Sequence, residues 1–410
     1  MIVLKALLVA VEYYSMNYDL DVSLEELKML AEACNIEVKD IVIQKLKEKT
    51  AQYYIGKGKV IEIANQLDDI DIVIFNEELS PMQVKNLTDA FDIEVSDRSD
   101  LILRIFETRA KTQEAKLQVK IARNQYLLPR LAGMREEIYS QQGGSGFRGS
   151  GEKQIELDRR LIHRQTIQYK KELEQLVNSR KTQRKKRKKQ DKKVVSLVGY
   201  TNSGKSSLLN SFSHKKVLEK DMLFATLETS TRQILLNNNQ KILMNDTVGF
   251  IDQLPHHLIK AFRSTLEEVK EADLLLHVVD SSSPHLQKHI NTTKEVLKEL
   301  GVEDTPVLYV YNKIDKIQDT IFVPEDPYVM ISVKEKYNLD ELQDKIVSLL
   351  FNNYEEVELF IPYNKGEDYQ YLKQNYKLIY EEFLEEYIHV SLKMSMYDYD
   401  YFNKYNKGYC

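Results

Sequence analysis

The segment Gly199-Tyr200-Thr201-Asn202-Ser203-Gly204-Lys205-Ser206 constrains the fold of this chain more than any other, because of what flanks it. Lys193 to Val198 reads as a buried strand before it, and Ser206-Ser207-Leu208-Leu209-Asn210-Ser211-Phe212 as a helix start after it. A strand, a turn opening and closing on glycine, and a helix together make a phosphate cradle. The glycines let main-chain N–H groups curl round the anion, and the helix N-terminus adds a favourable dipole. Lys205 can reach β- and γ-phosphates, and the Ser206 hydroxyl can bind Mg2+. A chance glycine-rich turn would not need ordered elements on both sides.

That loop does not choose between adenine and guanine. Asn312-Lys313-Ile314-Asp315 does, following the strand-like run Pro306 to Tyr311. The Asp315 carboxylate can accept from guanine N1–H and its exocyclic amine. Adenine lacks that donor pair, and an unpaired buried acceptor costs a few kcal/mol. Asn312 would tie the base loop to the phosphate loop, and the Lys313 stem would cover the base. The same four residues in an isolated surface turn would carry no such meaning.

Three further motifs fall in the matching order. Asp246-Thr247-Val248-Gly249 follows the strand-like Lys241 to Asn245. Asp246 would hold the metal through water, and the Gly249 N–H would sense the γ-phosphate. Phe224-Ala225-Thr226-Leu227-Glu228 precedes them, and its Thr226 would give a hydroxyl to Mg2+ and an N–H to the γ-phosphate. Thr229 and Thr231 are rivals for that role. Ser332-Val333-Lys334 ends another strand, where a main-chain N–H could meet guanine O6. The alternation predicts an α/β fold, a doubly wound and mostly parallel sheet, that binds and hydrolyses GTP at its strand C-termini, with Lys205 and Thr226 as the catalytic residues. Phe250 follows Gly249 where many GTPases carry a water-orienting glutamine. Slow intrinsic hydrolysis, raised by a partner, is the expectation.

The chain of 410 residues is long enough for two or three cores. Its two cysteines, Cys34 and Cys410, show no metal or disulfide spacing, which fits a reducing, cytoplasmic setting. Met1 to Val11 lacks the basic leader of a signal peptide and reads better as a first strand. No apolar run has membrane-spanning length, so no stable membrane insertion is expected.

Before the phosphate loop, Leu4–Val11, Glu37–Lys45 and Ile70–Phe75 read as strands. Ser23–Asn35, Lys57–Leu67 and Pro81–Phe91 read as helices, with a capping box at Ser23-Leu24-Glu25-Glu26. This predicts a small parallel α/β domain over 1–97. Its Tyr53 to Lys59 turn could meet phosphate, but a tight structural turn is the better reading.

A helical hairpin is expected over 98–193. One helix covers Asp100 to Leu131, and a second runs from Glu152 toward Asn178. Between them, five of the nine residues Gly143 to Gly151 are glycine, so no regular structure is expected there. Arg135, Arg148, Lys153, Arg159, Arg160 and Arg164 make this tip basic, suited to an RNA backbone. A solvated linker is the bland alternative. Ten of the fourteen residues from Arg180 to Lys193 are also basic, which attracts phosphates in a salt-dependent way. A plain linker or weak membrane-surface association are the rival readings of that run.

The GTPase domain is expected over 194–351, and a small α+β domain over 352–410. In the latter, Glu356–Pro362 and Ser391–Tyr397 read as strands and Tyr369–Tyr387 as a helix. Twelve of the 25 tyrosines lie there, and eleven acidic residues outnumber six lysines, which favours a core or protein-interface role over base stacking.

With these motifs in hand, Gly199 to Ser206, Phe224 to Leu227 and Asp246 to Phe250 resemble the Obg–HflX branch of translational GTPases. Tyr54-Ile55-Gly56-Lys57-Gly58-Lys59, Gly143 to Gly151 and Glu152 to Arg160 resemble the HflX family in particular. The resemblance implies a cytosolic, monomeric GTPase using Mg2+ that binds the large ribosomal subunit, ribosomal RNA included. It implies splitting of stalled or idle ribosomes, notably under heat stress, with the glycine-rich tip near the peptidyl-transferase region. It also implies ATP binding by the N-terminal domain, for which this sequence offers no second phosphate loop. A ribosome-assembly or RNA-remodelling GTPase is the alternative, and a membrane-bound or tRNA-modifying partner is a third reading.

Overall fold

A computed structural model describes residues 3–16, 18–131, 148–188, 193–213, 223, 224, 226, 230–252, 268–302, 304–317, 322–352 and 354–406. The chain divides into two compact units. The first holds Met1–Arg184 with Lys220–Glu228 and Gly249–Thr265, and the second holds the rest.

The first unit opens with β1 (Leu4–Tyr13), α1 (Leu20–Ala33), β2 (Ile36–Leu46), α2 (Lys57–Ala64), β3 (Ile72–Phe75), α3 (Pro81–Phe91) and β4 (Glu94–Asp97). The four strands form one parallel sheet in the order β2-β1-β3-β4. Six consecutive residues of β1, Ala6 to Val11, are buried, as a strand covered on both faces requires. The last strand, β4, was not expected from the sequence. Its four residues Glu-Val-Ser-Asp are too short and polar to show a period.

Two local expectations need correcting. Helix α1 begins earlier than Ser23: Asp19 is its N-cap, and its side chain accepts from the Asp21 and Val22 N–H groups. Ser23 therefore lies inside the helix, where its hydroxyl donates to Asn76 at 3.1 Å. The reciprocal capping box sits instead at Ser80 and Gln83, ahead of Pro81.

The single helix expected over Asp100–Leu131 is two, α4 (Arg98–Arg109) and α5 (Gln113–Leu127). Thr112 caps α5 through its side chain, so the break at 110–112 has a cause. Helix α6 runs from Arg148 to Lys188, 41 residues. Its start places Gly149 and Gly151 in a helix, where irregular backbone was expected. Glycine weakens a helix by about 1 kcal/mol per residue, which neighbouring turns can offset. Residues 143–147 of the glycine-rich tip lie outside the described residues, as do 189–192 of the basic run.

The second unit continues with β5 (Val194–Val198), α7 (Lys205–Phe212), β6 (Ser230–Leu235), β7 (Lys241–Asp246), β8 (Leu274–Asp280), α8 (Leu286–Glu299), β9 (Val307–Asn312), β10 (Tyr328–Met330) and α9 (Leu339–Leu350). Six strands form one sheet in the order β10-β9-β8-β5-β7-β6. All neighbours are parallel except the β6–β7 pair. Val195, Leu197, Leu276, Val278, Leu308 and Val310 fill its core. This arrangement puts the C-terminal ends of β5, β8 and β9 side by side.

The unit closes with β11 (Glu355–Pro362), α10 (Gly366–Asn375), β12 (Leu378–Phe383), β13 (Tyr387–Met394) and α11 (Met396–Phe402). The helix expected over Tyr369–Tyr387 stops at Asn375, and its second half is β12. Antiparallel pairing with β13 overrides the helical reading there, and Ile379, Tyr380 and Phe383 suit a strand. Many of the tyrosines are structural: Tyr376 and Tyr405 are buried in this small core. Among the described residues no helix is long and apolar enough to cross a membrane.

Candidate functional site

The loop from Gly199 to Ser206 leaves β5 and enters α7, as its motif requires. Two glycines are needed sterically. Gly199 has φ +142°, and an added Cβ would lie 2.2 Å from the Val278 carbonyl oxygen. Gly204 has φ +97°, and an added Cβ would lie 2.2 Å from Asn312 Nδ2. Only glycine reconciles these backbone angles with such close approach.

Lys205 is 5% exposed and donates from Nζ to the Gly199 and Tyr200 carbonyls at 3.0 and 2.6 Å. Burial pushes its ammonium down to about 8, against the nearby Asp246 carboxylate, which favours the charge. Both of these hydrogen bonds go to neutral carbonyls, which phosphate oxygens could replace. The Thr201 and Ser203 hydroxyls, in the same loop, are buried and make no hydrogen bond among the described residues. Buried polar groups are ordinarily paired, so these orphans point to a polar ligand.

Ser206 Oγ donates to Asp246 Oδ2 at 2.6 Å, bringing together the end of β7 and the start of α7. Thr247 is fully buried and donates to the Leu197 carbonyl at 2.6 Å. Two hard oxygen groups side by side fit Mg2+, which takes few protein ligands and completes its shell with water and phosphate. Among the described residues there is no cluster of three His, Cys, Asp or Glu for a dedicated metal cage.

The base-side loop is assembled from β9 and the turn after β10. Asn312, 3% exposed, donates from Nδ2 to the Ser203 carbonyl at 3.0 Å and accepts from the Val333 N–H at 3.1 Å. Lys313 has a left-handed φ of +63° and donates to the Asn202 carbonyl and to Asp280 Oδ2, both at 2.7 Å. Asp315 accepts from the Ser332 hydroxyl at 2.6 Å. That bond holds its carboxyl below the usual range. Ser332 also accepts from the Glu335 N–H at 3.1 Å, so the hydroxyl is oriented toward Asp315.

The structure thus gathers Gly199 to Ser206, Asp246, Thr247, Asn312, Lys313, Asp315, Ser332 and Val333 at one end of one sheet. Phe224, Thr226 and Gly249 belong to segments that group with the first unit, while Ala225, Leu227 and Glu228 lie outside the described residues. Two participants escaped sequence reasoning. Asp280 pairs with Lys313, and Tyr200 stacks on His289 with ring centroids 3.8 Å apart. Asp280 had a legible signal: it ends the apolar strand Leu274–Asp280, beside Asn312 in the register. His289 had none, because a histidine on an amphipathic helix is usual.

Three family models match in sequence. Residues 21–107 match a GTP-binding GTPase N-terminal region, 109–187 a GTP-binding GTPase middle region, and 194–313 a 50S ribosome-binding GTPase. The chain is 43% identical to the GTPase HflX of Caldanaerobacter subterraneus subsp. tengcongensis over 91% of its own length and 87% of that protein. It is 39% identical to the GTPase HflX of Escherichia coli K12, over 75% of this chain and 72% of that one. A GTP-binding protein from Sulfolobus solfataricus, solved with GDP, is 28% identical and covers 85% of this chain and 99% of its own, at a TM-score of 0.45. Motifs, sheet and relatives agree, and the chain belongs to the HflX family of GTPases.

Proposed function

We propose that this GTPase binds the large ribosomal subunit, ribosomal RNA included, and in its GTP form dissociates stalled or idle ribosomes, heat stress being one setting. The observation that carries this reading is the match of 194–313 to a family model described as a 50S ribosome-binding GTPase. The basic run from Arg180 to Lys193 supports it, since ten positive charges in fourteen residues suit a phosphate-rich partner. The protein works as a cytoplasmic monomer in this reading.

In hydrolysis, Asp315 holds guanine, Asn312 keeps the base loop tied to the phosphate loop, and Lys205 exchanges its carbonyl partners for phosphate oxygens. Ser206 and Asp246 would hold Mg2+, with Thr226 adding a hydroxyl; the ion would neutralise developing charge on the phosphates. Lys205 stabilises the same charge from its buried position. Phe250, 2% exposed, supplies no hydrogen bond to an attacking water. The intrinsic rate is therefore slow, and the ribosome raises it by closing the loop around Thr226 or by excluding stray water.

Two measurements test this. Ribosomes sedimented through sucrose with this protein and a non-hydrolysable GTP analogue should shift into subunits, and GDP should not produce the shift. Single-turnover GTP hydrolysis should accelerate when large subunits are added. Intact ribosomes under every nucleotide, or immature subunits alone accumulating when the gene is deleted, would move the function to ribosome assembly.

A further inference from the structure

The Lys313 ammonium is held at two points. Nζ donates to the Asn202 carbonyl of the phosphate loop and to Asp280 Oδ2, each at 2.7 Å. The carbonyl is neutral, and the Asp280 carboxylate brings the opposite charge. The two side chains are 19% and 21% exposed, so water and salt screen this pair less than a surface pair. Asn202, Asp280 and Lys313 all lie in the second compact unit.

Asp280 is itself fixed. It ends β8 opposite Asn312, the last residue of β9. Its Oδ1 accepts from the Ser282 N–H at 3.0 Å and from the Ser282 hydroxyl at 2.7 Å, closing a turn of the Asx kind. The Ser281 N–H donates to the Asn312 carbonyl at 2.9 Å, so the turn is also tied to the base loop. One carboxylate oxygen thus closes its own turn while the other meets Lys313. Lys313 needs such a hold. Its φ of +63° is left-handed, which is unfavourable for a residue with a Cβ. Its long stem also has many rotamers to lose on ordering. An ion pair at the tip fixes that stem before a base arrives, which lowers the cost of binding.

We propose that Asp280 is a positioning residue for guanine binding, acting through Lys313 by holding its stem where it covers the base. The inference deepens the reading of the nucleotide site and rests on Asn312 to Asp315 being its base loop. An effect exerted on the base is the same for GDP and GTP. It is also the same in the ground state and the transition state, so it lowers KM and leaves kcat alone.

The test uses the full chain and its Asp280→Asn, Lys313→Met and doubly substituted variants. Asparagine keeps the size and the oxygen that closes the Ser282 turn, and removes the charge. Methionine keeps most of the apolar stem and removes the ammonium. Calorimetry gives affinities for GDP and for a non-hydrolysable GTP analogue, and steady-state hydrolysis gives kcat and KM. Asp280→Asn should weaken both nucleotides alike, about five- to tenfold, and raise KM by the same factor with kcat unchanged. In the Lys313→Met background the same substitution should change either affinity by less than about twofold. Unaltered GDP affinity in folded Asp280→Asn, an equal loss with and without the Lys313 ammonium, or a fall in kcat overturns the proposal. If Asp280→Asn does not fold, Ser282→Ala removes one of the hydrogen bonds that aim the carboxylate. It must then weaken GDP and the analogue in the same proportion, by about two- to threefold. Failure of the unmodified chain to bind any guanine nucleotide would instead overturn the base-loop reading beneath the proposal.

Discussion

Asn312 fastens the base-side loop to the phosphate loop: its Nδ2 donates to the Ser203 carbonyl at 3.0 Å while its Oδ1 accepts from Val333 at 3.1 Å. One buried amide thus spans two loops 109 residues apart in sequence. Gly204 leaves the room for it, since a Cβ there would collide with that same Nδ2.

Gly204→Ala should therefore damage both loops at once. The left-handed backbone costs an alanine about 1–2 kcal/mol. The displaced Asn312 would lose a hydrogen bond of about 1 kcal/mol and leave buried partners unpaired. GTP and GDP affinity should each fall roughly a hundredfold, measured by calorimetry. Wild-type affinity in a folded variant would show that the loops are not mechanically joined.

Base choice should follow Asp315. Asp315→Asn should lose roughly a hundredfold or more in GTP affinity and gain for xanthosine triphosphate, whose extra carbonyl needs a donor. Ser332→Ala should weaken GTP about fivefold by removing the donor that orients and stabilises the carboxylate. Competition assays with both triphosphates read this directly. Equal ATP and GTP affinity in the unmodified protein would remove the basis for the assignment.

The parts legible in the sequence share one property: they are written in local chemistry. The phosphate loop shows itself because glycines, lysine and serine stand between an apolar run and a helical one, and four strands of its sheet, β5, β7, β9 and β10, follow from the runs beside the motifs, whereas β6 and β8 were not expected. What escaped depends on pairing between distant segments. Strand β12 reads as helix until β13 lies beside it. Strand β4 is four polar-edged residues made strand-like by β3. Asp280 gains meaning only when the register sets it next to Asn312. The Asp19 cap wins over Ser23 because the burial of Leu20 and Val22 extends the helix backward.

Lys205 gives a pH dependence of known sign. Burial lowers its ammonium to about 8, so the protein without nucleotide loses this charge as pH rises through that value. A bound triphosphate favours the charged form and raises its pKa. Affinity should thus be flat below about pH 8 and fall above it, by up to about tenfold per pH unit. Lys205→Arg keeps its charge throughout and should show no such slope over pH 7.0–8.8, whatever its absolute affinity. Parallel slopes for the two proteins would place the titration elsewhere.

Attraction and positioning should separate on the ribosome. Phosphate contacts supply affinity, while the glycine-rich segment, in this reading, supplies register. Replacing the lysines and arginines of 180–193 with glutamine should weaken binding broadly and flatten its dependence on salt, because fewer counterions are released. Deleting Gly143 to Gly151 should spare GTP binding and much of the ribosome affinity, yet abolish subunit dissociation. Sedimentation across a salt series, with splitting scored in the same gradients, distinguishes the two. Should the tip deletion split ribosomes as well as the intact protein, the glycine-rich segment is a linker, and dissociation must come from another surface.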